Sequence, residues 1–322
     1  MTQITTQNGR KNSRIKIAAL VVVSGFLLLL AALFVSNLIA SVDALQPLRQ
    51  FIKCNDCARS KHEIDECKIN KSSKCNKSNA DSREGNLKII GIMPAVSELS
   101  TDGNTIFVDA YKQKYGQFIY RACHDMPILI INIPSNTKKI DEYVALADGF
   151  VFTGGPKNID SSYYGGGYSE NIDRTGRIDF YFDMLKAADK EDKSVLGICL
   201  GMQAINVYRG GSLKYIKHVD TKLQHMIDFD YSAKHNIKFN KDSKLYSYIN
   251  KPELKVNSAH NLCVDKIGKN LTVSSSAEDG IAESIEDTDK AFFIGVQWHP
   301  EEMSTKNKDQ MKIARAFCES LF

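Results

Sequence analysis

The segment GICLG (197–201) places one cysteine between two glycines, directly after the apolar run SVLGI (194–198). This spacing is that of the Gly-x-Ser-x-Gly nucleophile elbow with cysteine in place of serine, in which the side chain stands on a sharp turn between a strand and a helix. A helix N-terminus beside the sulfur would favour the reactive thiolate of Cys199. A buried structural cysteine at an ordinary turn fits the same residues, so the elbow alone leaves both interpretations open.

A cysteine nucleophile needs a base, and His299 has surroundings that suit this role. It lies in the segment QWHPE (297–301), directly after an apolar run. Pro300 biases His299 toward an extended backbone, in which residues i and i+2 point the same way. Glu301 would then hydrogen-bond the imidazole and fix its orientation, as the third member of a catalytic triad does. An exposed loop is the alternative interpretation of this segment.

Acyl transfer also requires hydrogen-bond donors for the oxyanion of the tetrahedral intermediate. The backbone N–H of Leu200, the residue after the cysteine, is one candidate. The turn TGGP (153–156) follows the apolar run GFVF (149–152) and can supply a second donor, because glycine permits a close backbone approach. A plain turn between a strand and a helix also fits TGGP. The cysteine, the histidine and this turn each follow a predicted strand, and together they are more specific than any one motif.

Apolar runs of strand length alternate with helical patterns from residue 87 to about 208, which predicts a parallel sheet covered by helices on both faces. The predicted strands are 87–93, 127–134, 149–152 and 194–198, and the predicted helices are 105–123, 138–147, 176–190 and 201–208. After about residue 230 the chain is rich in strand patterns, and a helix at about 306–321 is expected to close the domain. We therefore predict a single α/β domain over 87–322.

The N-terminal part of the chain has a different character. Residues 1–16 carry four basic residues and no acidic one, and residues 17–42 form a run of 26 residues without a charge. Since about 20 apolar residues can span a bilayer, we predict a cytoplasmic tail over 1–16 and a transmembrane anchor over 17–42. The remainder would then lie outside the cytosol, in a periplasm or a secretory lumen. A cleaved signal peptide is the alternative.

Residues 43–86 are rich in Lys, Asn, Ser and Cys and too poor in apolar residues to form a core, so we interpret them as a stalk. Four of the eight cysteines cluster there: Cys54, Cys57, Cys67 and Cys75. Outside the cytosol they favour two disulfides, with a zinc site or free and intermolecular thiols as alternatives. Intermolecular pairing would produce a homodimer. The other four cysteines, Cys123, Cys199, Cys263 and Cys318, are scattered.

Three motifs in a fixed order, TGGP, GICLGMQ (197–203) and GVQWHPE (295–301), resemble those of the class I glutamine amidotransferase superfamily. Within it, the chain looks most like the gamma-glutamyl-gamma-aminobutyrate hydrolase group of gamma-glutamyl peptidases. That finer resemblance rests on GGPKNIDSSYYG (154–165), RTGRIDF (174–180), and VNSAH with SSSAEDGIAESIE between 256 and 286. The likeness covers 87–322 and none of 1–86.

The resemblance implies a flavodoxin-like α/β fold with a mostly parallel central sheet flanked by helices, and a catalytic triad. In it, Cys199 would be the nucleophile, His299 the base and Glu301 the residue that orients the base. Gly155 and Leu200 would form the oxyanion hole. The implied substrate is a small gamma-glutamyl compound.

The resemblance also assigns Gln203 and His260 to substrate binding, but this chain departs from the group at nearby positions. Leu200 stands where the hydrolases usually have arginine, Leu262 where they usually have glutamine, and Ile178 where an acidic residue usually follows the arginine. These departures fall around the leaving group of the substrate and leave its identity open.

The predicted function is that of a cysteine hydrolase that cleaves gamma-glutamyl amide bonds through a thioester on Cys199. A glutaminase that supplies ammonia to a partner is one alternative, and a non-catalytic ligand-binding ectodomain is another. No cofactor or metal is expected, because no cluster within 87–322 has metal-ligand spacing, and His218, His225 and His235 receive no role. The net charge of +4, without a basic stripe, argues against nucleic-acid binding.

Overall fold

The computed structural model describes residues 87–101, 104–166, 170–226 and 231–322. All of them lie within the compact unit Ala80–Phe322. The predicted tail, anchor and stalk, with the four clustered cysteines, fall outside the described residues and stay predictions. Within the described part of the chain, none of the helices combines the length and the apolar character that crossing a bilayer requires.

The strands and helices are numbered in chain order. The strands are β1 (Lys88–Ile92), β2 (Ala95–Thr101), β3 (Asn104–Ala110), β4 (Ile128–Asn132), β5 (Gly149–Phe152), β6 (Ser194–Ile198), β7 (Ser212–Tyr215), β8 (Ala233–Phe239), β9 (Glu253–Ser258), β10 (Leu262–Lys266), β11 (Thr272–Ala277), β12 (Ala282–Glu286) and β13 (Phe293–Val296). The helices are α1 (Gln113–Cys123), α2 (Ile140–Leu146), α3 (Arg177–Lys190), α4 (Leu200–Tyr208), α5 (Lys244–Ile249), α6 (Pro300–Met303) and α7 (Lys308–Glu319), with single 3₁₀ turns at Thr137–Lys139, Ser161–Tyr163 and Ile216–His218.

A nine-stranded sheet in the order β4-β1-β5-β6-β13-β12-β11-β8-β9 forms the centre of the fold. The first five strands in that order are parallel to their neighbours, and the pairings from β13 to β9 are antiparallel. The predicted α/β sheet flanked by helices is therefore confirmed. The strand-rich part of the sequence after residue 230 forms the antiparallel half.

Both faces of the sheet are covered at β5, β6 and β13, as the near-continuous apolar strands predict. Successive side chains of a strand point to opposite faces, and in β6 Leu196 joins the core under α1, α5 and α7 while Val195 joins the core under α2, α3 and α4. All five residues of β6 are buried. Such a strand has no solvent-exposed face, which explains why its sequence does not alternate between apolar and polar residues.

The helix predicted over 105–123 is wrong in its first part. Residues 104–110 form β3, which pairs antiparallel with β2, and the helix α1 begins only at Gln113. The two strands face each other from Ala95 opposite Ala110 to Thr101 opposite Asn104, so only Asp102 and Gly103 connect them. An Asp-Gly pair between two strands is a typical hairpin sequence, and this signal outweighs the helical spacing of the apolar residues that follow it.

A disulfide that the sequence analysis did not anticipate joins the end of α1 to the end of α7. Cys123 and Cys318 are both buried, and their Cα atoms are 6.4 Å apart. The two helices pack side by side on one face of the sheet, which brings cysteines 195 positions apart in the chain into bonding distance. The two remaining cysteines of the described residues, Cys199 and Cys263, are unpaired and buried.

We expect that removing this disulfide lowers the free energy of unfolding by about 2–5 kcal/mol, because a cross-link over a long loop restricts the unfolded chain. Denaturant unfolding of the wild type with and without reductant measures the loss, and the Cys123→Ser variant serves as the control. Reductant should not lower the free energy of unfolding of that variant further, because the variant lacks this disulfide. An unchanged unfolding midpoint on reduction, with no cross-linked 123–318 peptide in non-reducing mass spectrometry, would contradict the pairing.

Candidate active site

The three predicted site segments follow three adjacent strands. In the sheet, β6 lies between β5 and β13, and all three run parallel, so their carboxyl ends lie at the same edge. The turn 153–155 follows β5, Cys199 follows β6, and the segment 297–301 follows β13. The edge at the carboxyl ends of parallel strands is where open α/β sheets bind ligands.

Cys199 stands on a strained elbow between β6 and α4. Its backbone has φ 53° and ψ −104°, a positive φ that residues other than glycine rarely adopt. A Cβ added at Gly201 would collide with the carbonyl oxygen of Phe152, and one added at Gly197 would lie 2.6–2.8 Å from Ile205 and Gly201. The two glycines are thus needed for α4 to pack against β5 and β6. Backbone strain of this kind is typical of functional sites.

His299 is held in a fixed orientation beside the cysteine. Its Nδ1 lies 2.7 Å from Oε1 of Glu301, and all three side chains of the predicted triad are buried. Because Nδ1 contacts Glu301, Nε2 is the ring nitrogen that remains for other contacts. Burial alone would lower the pKa of His299, but the charge of Glu301 and the coupling to Cys199 hold that pKa well above its ordinary value. The site therefore favours the protonated imidazolium.

Asn257 in β9 positions the backbone of His299, a role that the sequence analysis missed. The N–H of His299 donates to Oδ1 of Asn257 at 2.9 Å, and Nδ2 of Asn257 donates to the carbonyl oxygen of His299 at 3.1 Å. This reciprocal pair satisfies two buried backbone groups at the point where β13 has ended. The segment VNSAH contains Asn257, but its sequence gives no sign of which side chain contacts the histidine.

The glycine turn after β5 lies directly against the cysteine and the histidine. A Cβ at Gly154 would lie 2.7 Å from Cε1 of His299 and 3.3 Å from Cβ of Cys199. The N–H of Gly154 donates to the hydroxyl of the buried Tyr115 at 3.0 Å, so this amide is already occupied. The next amide, that of Gly155, belongs to a residue that lines the open cleft.

The N–H of Leu200 belongs to the first turn of α4, where amide groups have no partner within the helix. Leu200 directly follows the cysteine, and Gly155 follows the glycine that touches Cys199. The structure thus places both predicted oxyanion-hole residues on the two turns that border Cys199.

A cleft of about 290 Å³ reaches His299 and Gly155 from the surface. Its other lining residues are Ala95, Ala110, Tyr111, Lys112, Pro156, Tyr231 and Ala259. The ring of Tyr231 packs edge-on against the imidazole of His299 with the ring centres 4.7 Å apart, and Lys112 donates to the Tyr231 hydroxyl at 3.0 Å. The cleft therefore presents an amine and a phenol beside His299.

The two predicted substrate-binding residues lie away from this cleft lining. The Gln203 amide donates to the carbonyl oxygen of Leu262 and to Oε1 of Gln297, both at 3.2 Å. His260 directs Nδ1 to the same carbonyl oxygen of Leu262 at 2.9 Å and lines a separate cleft. Their substrate contacts stay predictions, and in this structure both side chains make internal polar contacts.

His260 belongs to a second buried polar cluster that spacing in the sequence does not reveal. His225, His235 and His260 surround the fully buried carboxylate of Glu283. Burial works against a charge on His225, but Glu283 and Asp279 raise its pKa above its ordinary value. Each of the four residues comes from a different segment of the antiparallel half of the fold.

Comparison with known proteins shows the family of this chain. The Peptidase C26 family model matches residues 88–301. A glutamine amidotransferase-like protein of Rickettsia prowazekii, RP404, is 32% identical over 58% of this chain and 81% of its own length. The gamma-glutamyl-gamma-aminobutyrate hydrolase PuuD of Escherichia coli is 26% identical over 59% of this chain and 78% of its own.

Solved structures share the fold at lower sequence identity. The glutaminase domain of Trypanosoma brucei CTPS with bound acivicin superposes with a TM-score of 0.51 and 15% identity, covering 73% of this chain and 93% of that domain. The family match spans both the elbow and the His299 segment, and the shared fold is that of glutamine amidotransferase-like domains. The chain belongs to the Peptidase C26 family, within the class I glutamine amidotransferase-like proteins.

Proposed function

We propose that this protein is a cysteine hydrolase that cleaves gamma-glutamyl amide bonds through a thioester on Cys199. The observation that carries the proposal is the arrangement of His299, which contacts Glu301 through Nδ1 and lies beside a cysteine on a strained elbow. A nucleophile next to a base that is itself oriented by a carboxylate is the general plan of acyl-transfer triads.

In the first step the Cys199 thiolate attacks the gamma-carbonyl carbon of the substrate, and a sulfur–carbon bond forms. The oxyanion would accept hydrogen bonds from the N–H groups of Gly155 and Leu200. His299 then donates its proton to the leaving nitrogen as the carbon–nitrogen bond breaks, which releases the amine. The raised pKa of His299 supports this step, since it keeps a proton available on the ring near neutral pH.

In the second step a water molecule attacks the thioester carbonyl, and His299 accepts the proton of that water. The sulfur–carbon bond breaks and glutamate leaves with the new oxygen. Glu301 stabilises the imidazolium in both steps by its negative charge at 2.7 Å. No residue of this scheme requires a redox change.

Lys112 supports a substrate whose leaving amine carries a carboxylate. Among the described residues that line the cleft it is the one lysine or arginine, and charge-assisted hydrogen bonds from lysine suit carboxylates. A leaving group of this chemistry, such as an amino acid, matches the substrate named for the E. coli relative. A glutaminase that passes ammonia to a partner is the second candidate, favoured by Leu200 after the cysteine.

Capture of the acyl-enzyme tests the proposed function. The full chain is mixed with gamma-glutamyl amino acids, gamma-glutamyl amines and glutamine, quenched in acid, and digested for mass spectrometry. We expect a gamma-glutamyl adduct on the peptide that contains Cys199, and none in the Cys199→Ala variant. Burial raises the pKa of the Cys263 thiol to about 12, so Cys263 should stay unmodified and serve as an internal control.

The substrate panel separates the candidates. Turnover of gamma-glutamyl amino acids above that of glutamine supports the hydrolase, and the reverse order supports the glutaminase. If no compound acylates Cys199 and a glutamine-analogue electrophile does not label it, the protein is a non-catalytic ectodomain and the proposal is wrong.

We expect Glu301→Gln to lower the pKa of His299, because the negative charge that raises it is lost. The imidazolium is then depleted at a lower pH, so the alkaline limit of the kcat profile should move to lower pH and kcat near neutral pH should fall by about 10²–10⁴-fold. The matched control is Glu302→Gln. Glu302 is the next residue in the chain and its carboxylate pairs with Lys114, so this variant removes the same charge without touching the contact of His299 with Glu301. An unchanged alkaline limit in Glu301→Gln would argue against the role of Glu301.

We expect Lys112→Met to raise KM for gamma-glutamyl amino acids by about 10–100-fold, the equivalent of one charge-assisted hydrogen bond. KM for gamma-glutamyl derivatives of neutral amines should change little. Lys114→Met is the control, since Lys114 pairs with Glu302 and does not line the cleft. Equal effects on both substrate classes would mean that Lys112 contacts the glutamyl part of the substrate and not the leaving group.

The predicted anchor over 17–42 would hold this domain outside the cytosol, and the Cys123–Cys318 disulfide supports that placement because disulfides persist in oxidising compartments. In cell fractions, we expect the full chain to resist extraction from membranes at alkaline pH, whereas a variant lacking 17–42 should be released. In intact spheroplasts or sealed vesicles, protease should reach the domain only from the extracytoplasmic side. Release of the full chain at alkaline pH would contradict the anchor.

A further inference from the structure

Four titratable side chains that the proposed mechanism does not use converge in the antiparallel half of the fold. His235 lies in β8 and Glu283 in β12, while His260 follows β9 and His225 follows the 3₁₀ turn Ile216–His218. Exposure of the four residues ranges from 0% for Glu283 to 5% for His235. Burial of so many polar groups is costly unless each has a partner.

The contact distances within this group are those of neighbouring ligands on a small metal ion. Oε1 of Glu283 lies 3.1 Å from Nε2 of His235, 3.5 Å from Nδ1 of His225 and 3.6 Å from Nε2 of His260. Nδ1 of His225 and Nε2 of His260 are 3.3 Å apart. Ligands at about 2.0–2.1 Å from a tetrahedral zinc ion are separated by about 3.3 Å.

The outer nitrogens of two of these histidines have acceptors that fix their tautomers. Nε2 of His225 lies 2.9 Å from the carboxylate of Asp279, and Nδ1 of His260 lies 2.9 Å from the carbonyl oxygen of Leu262. Each acceptor requires the proton on the outer nitrogen, as carboxylates and carbonyls do around metal-binding histidines. The inner nitrogens, Nδ1 of His225 and Nε2 of His260, face each other and Glu283.

Either a proton or a metal ion can join these inner nitrogens, and the other two members of the group lack good hydrogen bonds. Both ring nitrogens of His235 and both carboxylate oxygens of Glu283 are buried without a partner in hydrogen-bond geometry. The 3.1 Å approach of His235 to Glu283 is therefore close without being a well-formed hydrogen bond. Buried polar atoms that lie this close together without hydrogen-bond geometry are unusual in native proteins.

We propose that His225, His235, His260 and Glu283 bind a divalent transition-metal ion, with zinc as the ion that best fits three imidazoles and one carboxylate. Three of these residues place one ligand atom each within 4.8 Å of the others, and His260 completes the set at the distances given above. Four protein ligands describe a closed, structural site. The ion would tie the segment of His225 to the sheet.

A route to the site is present. A cleft of about 330 Å³ is lined by both His225 and His260, and it is separate from the cleft that leads to His299. Met226, next to His225, also lines this cleft. The metal site includes none of Cys199, His299 and Glu301, so the metal proposal and the proposed chemistry at Cys199 can fail separately.

Metal analysis of the full chain tests the proposal. Thiols are first alkylated so that cysteines do not bind the ion, and the protein is stripped with chelator, dialysed against Zn²⁺ and then against metal-free buffer. We expect the wild type, Cys199→Ala and His218→Ala to retain one zinc equivalent more than His235→Ala and Glu283→Gln. His218 is the matched control, a histidine outside the cluster. Equal zinc content in the wild type and His235→Ala would overturn the proposal.

Two measurements on the wild type do not depend on how the variants fold. Co²⁺ added to the stripped full chain should give the visible absorption of a tetrahedral site, and Zn²⁺ should raise the melting temperature reversibly, with chelator returning it to the stripped value. Stripped wild type that shows neither the absorption nor a melting shift would mean that a proton, and not a metal, joins these four residues, and the proposal would be wrong.

Discussion

The contact of α4 with β5 is the constraint on which the rest of the site depends. Because Gly201 lies directly against the backbone of Phe152, the chain must leave β6 on a sharp turn, and Cys199 takes the strained conformation that this turn requires. The same close approach brings the glycine turn after β5 to the sulfur. A larger residue at either glycine of the elbow would push α4 away from β5 and β6 and would move Cys199 away from the glycine turn.

Two buried carboxylates, those of Glu301 and Glu283, lie beside histidine side chains in the interior. Glu301 faces one histidine, His299, whereas Glu283 faces three histidines. Each carboxylate lies among groups that compensate its charge, which is the condition for burying an ion at all. The fold thus contains two buried groups of histidine and carboxylate, one directly after β13 and the other around a carboxylate of the neighbouring strand β12.

The sequence is sufficient to predict the parallel half of the sheet and the segments of the predicted triad. Buried parallel strands are continuous apolar runs, and each motif directly follows one of these runs. The sequence also predicts that the part after residue 230 is rich in strands, but it does not predict the separate hairpin of β2 and β3. The helix expected over 105–123 failed in its first part because local apolar spacing competes with pairing to β2, and pairing depends on a partner strand. The short helix α5 begins after Ser243, whose side chain accepts a hydrogen bond from the N–H of Tyr246. A helix of six residues is too short for its apolar pattern to predict it.

Contacts between distant segments lie beyond what local patterns show. Asn257 and Tyr115 hold His299 and Gly154 from strands and helices far away in the chain, and the four residues around Glu283 are spread over 225–283 without metal-like spacing. Side chains of this kind are recognised only when the sheet order is known. Motifs that lie within one turn, such as the elbow, can be recognised without the sheet order.

The Cys123–Cys318 bond has a topological consequence for the whole site. It closes the chain between α1 and α7 into one covalent loop, and Cys199, His299, Glu301 and the four residues around Glu283 all lie inside that loop. A single cut of the backbone anywhere between the two cysteines would leave both pieces attached to each other. A proteolytic nick between residues 123 and 318 therefore does not by itself separate Cys199 from His299.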